Sequence, residues 1–371
     1  MRLATLTIGA VAALAAPATG LGAVAAVQDD YLPITPLPQL EHRLDLVQST
    51  GARVARVDVF WSDVAPRRPA RPADPNDPAY RFDLVDATIG GLLDRGIRPI
   101  VSVYSTPRWA AGRAAPRGQH TNPWLPQRPA DFGAFMQALA TRYSGTAATP
   151  LYGRRLEVRH YEIWNECNLQ LYCRPQYRGR AAVSPRLYAN LVRAAYPRIK
   201  RANPRAIVIA GATGPKSRSD QTGIGTMDWL AALRRSGARF DAYSQHIYPA
   251  APPRAQVRAV PSWNSVPLLL REVDKIRRGM PMYITEAGYT TRATPFRRVR
   301  VTERQQSTYL KQIFALTSLR SPRIPVVVWF NLQDNRNWPG GLLRANGTPK
   351  PSFSAFRSIA QRGRVPASLR P

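Results

Sequence analysis

Short apolar runs recur along this chain with helical stretches between them, and that alternation restricts the fold more than any other feature. The runs fall at 21–28, 54–60, 98–104, 157–164, 206–212, 241–247, 282–286 and 326–330. Between them lie helical patterns at 40–49, 83–95, 130–143, 185–201, 226–235, 265–278 and 302–319, and another follows at 352–361. Asp83 and Gly96 bracket the second helix and Ser184-Pro185 opens the fourth, the residue types that start and stop helices. Strands that alternate with helices build parallel sheets, because a parallel pair needs a crossover long enough to hold a helix.

Eight such units in about 340 residues match a closed (β/α)8 TIM barrel of the α/β class. An open doubly wound sheet also alternates, but it has fewer strands and a glycine-rich first turn. Here that turn reads Gln28-Asp29-Asp30-Tyr31. No linker or shift in composition divides the chain, so residues 19–371 are expected to form a single domain. Proline-rich segments at 66–78 and 107–129 read as long loops after the second and third strands.

The N-terminus, MRLATLTIGAVAALAAPATG, carries one arginine, an apolar run and Ala16-Pro17-Ala18. This is the pattern of a secretory signal over residues 1–18, too short to span a bilayer. The expected product is secreted and free of the membrane once the signal is cut. Export permits disulfides, and the only two cysteines, Cys167 and Cys173, would close a small loop; two unlinked thiols is the other reading. No cysteine or histidine spacing suits a metal, and no cofactor is expected.

The net charge is +30, and lysine supplies only Lys200, Lys216, Lys275, Lys311 and Lys350 of it. An anionic polymer as partner is one reading. The other is an arginine-rich solvated surface, favoured because the arginines are spread over every segment. No nucleic-acid partner is expected.

In a barrel the functional groups sit at the C-terminal ends of the strands. Those ends offer Asp29 and Asp30; Arg56, Asp58 and Trp61; Tyr104 and Trp109; Asn165 and Glu166; His246 and Tyr248; Glu286; and Trp329, Asn331 and Asp334. A carboxylate closing an apolar strand is costly unless it is paired or used. Glu166 and Glu286 both do so, on the fourth and seventh strands, which face each other across the mouth. Two facing carboxyl groups are the minimum equipment for glycoside hydrolysis, one protonated and one ionised. Trp61, Trp109, Trp124, Trp329 and Trp338 supply flat rings near the same end.

Through YEIWNECN, STPRW, SQHIYP and YITEAG, the chain resembles the clan A glycoside hydrolases, and families 39 and 5 among them. The resemblance spans the whole mature chain. It implies a retaining glycosidase with Glu166 as acid/base and Glu286 as nucleophile. Asn165 would bind the sugar 2-hydroxyl, and Arg56 and Tyr248 would hold Glu286 ionised. His246 would lie beside Glu166 or the sugar, while Trp61 and Trp329 would contact substrate, Trp329 as the subsite floor. Cys167 departs from the pattern, since related enzymes often have proline there. A carbohydrate substrate and a monomer follow as expectations. A transglycosylase on the same site, or a non-catalytic barrel binding carbohydrate or acidic polymer, are the alternatives.

Overall fold

The computed structural model describes residues 22–111, 123–150, 152–295, 297–318 and 323–363. The expected signal segment, and residues 112–122 of the loop after the third strand, lie outside these. Eight parallel strands close into a ring: β1 Val24–Gln28, β2 Val54–Phe60, β3 Arg98–Tyr104, β4 His160–Ile163, β5 Ile207–Thr213, β6 Ala242–Ile247, β7 Met282–Ala287 and β8 Val326–Phe330. Closure is made by β1 against β8, with Val24 opposite Val326 and Gln28 opposite Phe330. Eight main helices surround the ring: α1 Leu37–Ser49, α2 Asp83–Asp94, α3 Pro129–Arg142, α4 Ser184–Ala202, α5 Thr226–Ser236, α6 Val266–Asp274, α7 Glu303–Ser318 and α8 Pro351–Arg362.

Successive strand residues point to opposite faces, and this divides the core in two. The outward faces carry Ala25, Val27, Val57, Val101 and Val103, which pack against the helices in one large cluster. The inward faces begin with Val24, Ala26, Val54, Ile100, Ile209, Ala242, Val326 and Val328, a second cluster that fills the lower barrel. Higher on the same faces the residues turn polar: Gln28 follows Ala26, Arg56 and Asp58 follow Val54, and Ser102 and Tyr104 follow Ile100. All five are buried. The inner lining thus changes from hydrocarbon to hydrogen-bonding groups along the barrel axis, and the polar layer is where chemistry can occur.

The run expected at 157–164 is broken in the structure. Arg155–Glu157 pairs antiparallel with Ser144–Ala148 in a separate hairpin, and only His160–Ile163 enters the barrel. Helices α3 and α4 approach unusually closely at Gly133, where an added Cβ would lie 2.4 Å from the carbonyl oxygen of Ala194.

Candidate active site

Arg56 organises the polar layer. Its five N–H donors meet five acceptors. Nε donates to Glu162 Oε2 at 2.7 Å, and Nη1 to Gln28 Oε1 at 2.6 Å and Glu286 Oε1 at 2.9 Å. Nη2 donates to Ser102 Oγ at 2.9 Å and Asn165 Oδ1 at 2.8 Å. Asp58 adds a third carboxylate, 3.3 Å from Nη1. A guanidinium with no exposed surface is tolerable only because it is surrounded in this way. Its presence fixes the Asn165 amide: the oxygen faces Arg56, which leaves the NH2 group as the donor for a ligand.

Both glutamates reach the mouth through irregular backbone. A regular strand would send Asn165 and Glu166 to opposite faces. Instead Trp164 has φ +66° and Glu166 φ +40°, left-handed conformations that cost on the order of 1–3 kcal/mol each. Trp164 packs away into the core and donates Nε1–H to Tyr172 O at 2.8 Å, while Asn165 turns to Arg56 and Glu166 to His246. The Glu166 N–H is tied to Ala212 O on the neighbouring strand. Beside it Gly211, at φ +119°, passes so near Ser244 that a Cβ would meet the Ser244 carbonyl oxygen at 2.5 Å. The pairing of β6 with β7 slips between Gln245 and His246, and such irregularities re-aim side chains at barrel rims. The loop beyond Glu166 is held by the Cys167–Cys173 disulfide, with Cα atoms 4.7 Å apart. Gln176 Nε2 donates to both cysteine carbonyl oxygens.

His246 stands between the two glutamates. Its Nδ1 is 2.8 Å from Glu166 Oε1 and 3.4 Å from Glu286 Oε2. One carboxylate oxygen of each glutamate and a ring nitrogen of His246 lie within 4.8 Å of one another. Such a set has the compactness of a metal site as well as of an acid–base pair. Glu286, however, already has Arg56 on Oε1, and Tyr248 OH donates to Oε2 at 2.7 Å. These fixed donors favour the ionised form of Glu286.

Burial pushes Glu166 up to about 7, and Arg56 only partly opposes this. Burial also raises Glu286, contrary to the expectation that its cation would lower it. His246, Arg56 and the Tyr248 hydroxyl work against that rise, and the nearby Glu166 adds to it. The two acids are therefore differentiated by their donors rather than by the absence of desolvation. Burial lowers His246 against the pull of Glu286, and so favours the neutral imidazole. For Glu162 burial is outweighed by Arg56, with His246 assisting, and its carboxyl is held below its ordinary value.

The structure brings Arg56, Asn165, Glu166, His246, Tyr248 and Glu286 together, but not Trp61 or Trp329. Trp61 is fully buried among Trp109, Phe132 and Phe135, between the barrel and α3. Trp329 is also fully buried, belongs to the outer cluster and donates Nε1–H to Gly340 O. The inward residue at that end of β8 is the next one, Phe330, which is half-buried and meets Tyr248 and Trp338 edge-on. Trp329 therefore does not line the mouth, and the rings that stand at this end are Phe330 and Trp338. Of the other strand-end acids, Asp29 pairs with Arg43, and Asp334 with Lys350; both are structural. Gln28, Ser102 and Glu162 were missed by sequence reasoning. Each lies two residues beyond an inward residue of its own strand, so strict period-two counting finds them.

Fold and mouth together define a class: a (β/α)8 barrel that presents two opposed glutamates at the ends of its fourth and seventh strands. No family model matches the chain, and no curated protein matches it. Solved structures do. A family 39 glycoside hydrolase from Bacteroides cellulosilyticus WH2 superposes with TM-score 0.66 at 19% identity, over 92% of this chain and 64% of that one. A monomeric beta-xylosidase from Caulobacter crescentus CB15 gives TM-score 0.60 at 19% identity, over 93% and 70% of the two chains. A GH5_18 protein from Streptomyces cattleya in complex with GlcNAc gives 0.63 at 15%, over 93% and 81%. The chain thus spans just under two thirds of the length of the first of these. At such identities the likeness establishes the barrel, and it agrees with the resemblance to clan A carried by the motifs.

Proposed function

We propose that this protein is a retaining glycosidase that cleaves an O-glycosidic bond by double displacement. The observation that carries the reading is the oxygen-to-oxygen approach of Glu166 and Glu286 within 4.8 Å. Retaining pairs stand about 5–5.5 Å apart, whereas inverting pairs need about 6.5–9.5 Å to admit a water. In the first step protonated Glu166 gives its proton to the glycosidic oxygen as the bond to the anomeric carbon breaks. The Glu286 carboxylate attacks that carbon from the opposite face and forms a glycosyl ester. In the second step Glu166, now ionised, takes a proton from water, the water oxygen bonds to the anomeric carbon, and the Glu286 carboxylate leaves. A group pushed up to about 7 suits both proton transfers near neutrality.

The structural neighbours described as a glucosidase and beta-xylosidases support a carbohydrate substrate, and the monomeric one supports a monomer. The N-terminal pattern supports export. Transglycosylation would share the first step and differ only in the acceptor of the second. The test is Glu286→Ala assayed on aryl glycosides with and without azide. Turnover is expected to vanish and to return in part with azide, giving the glycosyl azide of inverted configuration. Full activity in the Ala variant would remove Glu286 as nucleophile.

A further inference from the structure

Asp30 is the acid at the mouth that the mechanism does not use. Its neighbour Asp29 is committed to Arg43, and Asp58 stands against Arg56. Among the described residues Asp30 has no ion pair and is held by amides only. Asn335 Nδ2 lies 3.1 Å from Oδ2, Gln28 Nε2 3.4 Å from Oδ1 and Asn331 Nδ2 3.5 Å from Oδ2. Asp29 and Asp58 are buried, whereas Asp30 is half-exposed. Among the described residues these three amides are its side-chain donors, fewer than the roughly four lone pairs a carboxyl group offers.

What surrounds it suggests what fills them. Asn335 Oδ1 accepts the backbone N–H of Trp338 at 2.7 Å, so one amide ties Asp30 to the Trp338 loop. Trp338 is half-buried, and its ring centroid lies 4.6 Å from that of Tyr248, whose hydroxyl is bonded to Glu286. Asp30, Asn335, Trp338, Tyr248 and Glu286 thus form one continuous wall with an incompletely filled acceptor at one end, an aromatic ring in the middle and the nucleophile at the other. We propose that Asp30 selects the sugar on the nucleophile side of the bond, accepting hydrogen bonds from hydroxyls of an uncharged ring packed along Trp338. This rests on the glycosidase reading above.

The charge inventory points the same way. Asp29, Asp58 and Glu286 crowd Asp30 with like charge, and a sugar bearing carboxylate or sulfate beside it would add to that crowding. Arg297 is the second guanidinium of this wall. It lies 5.8 Å from the Tyr248 ring centroid and 5.7 Å from that of Trp338, with Nη2 on Pro249 O.

The test pairs Asp30→Ala with monodeoxy substrates. kcat/KM is measured for para-nitrophenyl β-xyloside and β-glucoside, their monodeoxy analogues and the β-glucuronide, with wild type and variant. In the wild type, removing the hydroxyl that Asp30 reads is expected to lower kcat/KM about 10- to 100-fold, because the bound sugar covers the carboxyl and leaves its acceptor unpaired. In Asp30→Ala that deoxy analogue and its parent should agree within about threefold, while penalties at other hydroxyls persist. Equal penalties in both proteins at every hydroxyl, or glucuronide turned over as well as glucoside, would overturn the proposal. Wild type inert on every glycoside would sink the glycosidase reading instead. The same cycle, measured as monosaccharide binding by tryptophan fluorescence, then decides Asp30 alone, with loss of one hydroxyl's discrimination supporting it and no loss refuting it.

Discussion

Replacing Glu166 by glutamine should stabilise the protein at alkaline pH and leave it almost unchanged in mild acid. Burial pushes this carboxyl from an ordinary 4.5 up to about 7. Between those values the folded chain keeps a proton that the unfolded chain gives up, so its contribution to stability falls as pH rises and is constant beyond. Each pH unit of the interval is worth about 1.4 kcal/mol, so the penalty is about 3 kcal/mol at pH 8 and under about 1 kcal/mol at pH 5. Glutamine carries no charge and can meet His246 Nδ1, 2.8 Å from Glu166 Oε1 in the wild type, through its oxygen or its NH2 group as the tautomer requires. Glu286, whose rise Glu166 adds to, is relieved in the variant and shifts the comparison in the same direction; groups away from the site titrate alike and cancel. Urea denaturation of wild type and variant at the two pH values should therefore show the variant gaining about 2 kcal/mol more at pH 8 than at pH 5. The same proton is the one donated in catalysis, so the basic limb of kcat/KM should lie near pH 7 in the wild type. A stability difference that does not change with pH would refute the desolvation argument.

Trp338→Ala should raise KM for an aryl glycoside roughly tenfold with little loss of stability, whereas Trp329→Leu should cost about 2–3 kcal/mol in urea unfolding and leave KM unchanged; the reverse pattern would return the subsite floor to Trp329. Gly133→Ala should destabilise by about 1–3 kcal/mol, since its methyl would press on the Ala194 backbone of α4 and helix backbones yield poorly; an unchanged denaturation midpoint would show that α3 and α4 separate freely. KM for a neutral glycoside should change less than about twofold between roughly 20 and 200 mM salt, because hydroxyl contacts are not screened as charge–charge contacts are; a tenfold rise would mean that the +30 surface takes part in binding.

The barrel was legible in the chain because each unit repeats the same demand. An apolar run must be buried on both faces, and the next run can join it in parallel only through a helix. Eight repetitions leave few alternatives to closure, and closure puts the last residues of every run around one mouth. Glu286 was legible for the same reason, as the one charge in the run 282–286, and Glu166 as the carboxylate just beyond the run 157–164. So was the pairing of Cys167 with Cys173, since the chain offers no other partner.

Which face a residue occupies was another matter. Trp329 and Phe330 are adjacent, and a shift of one position sends either to the core between barrel and helices or into the mouth. Their composition is equally aromatic, and only the register with β1 separates them. Asn165 and Glu166 are adjacent too, yet both face inward, because Trp164 and Glu166 adopt left-handed backbone that no propensity of tryptophan or glutamate foretells. The pKa of Glu286 was set by the balance of burial against Arg56, His246 and Tyr248, groups from two other strand ends. Asp29 and Asp30 read alike in sequence, and only the position of Arg43 makes the first a strut and leaves the second facing the mouth. Local pattern determines which segments are strands; the side of the sheet, the partner across the barrel and the resulting charge balance depend on contacts between residues hundreds of positions apart.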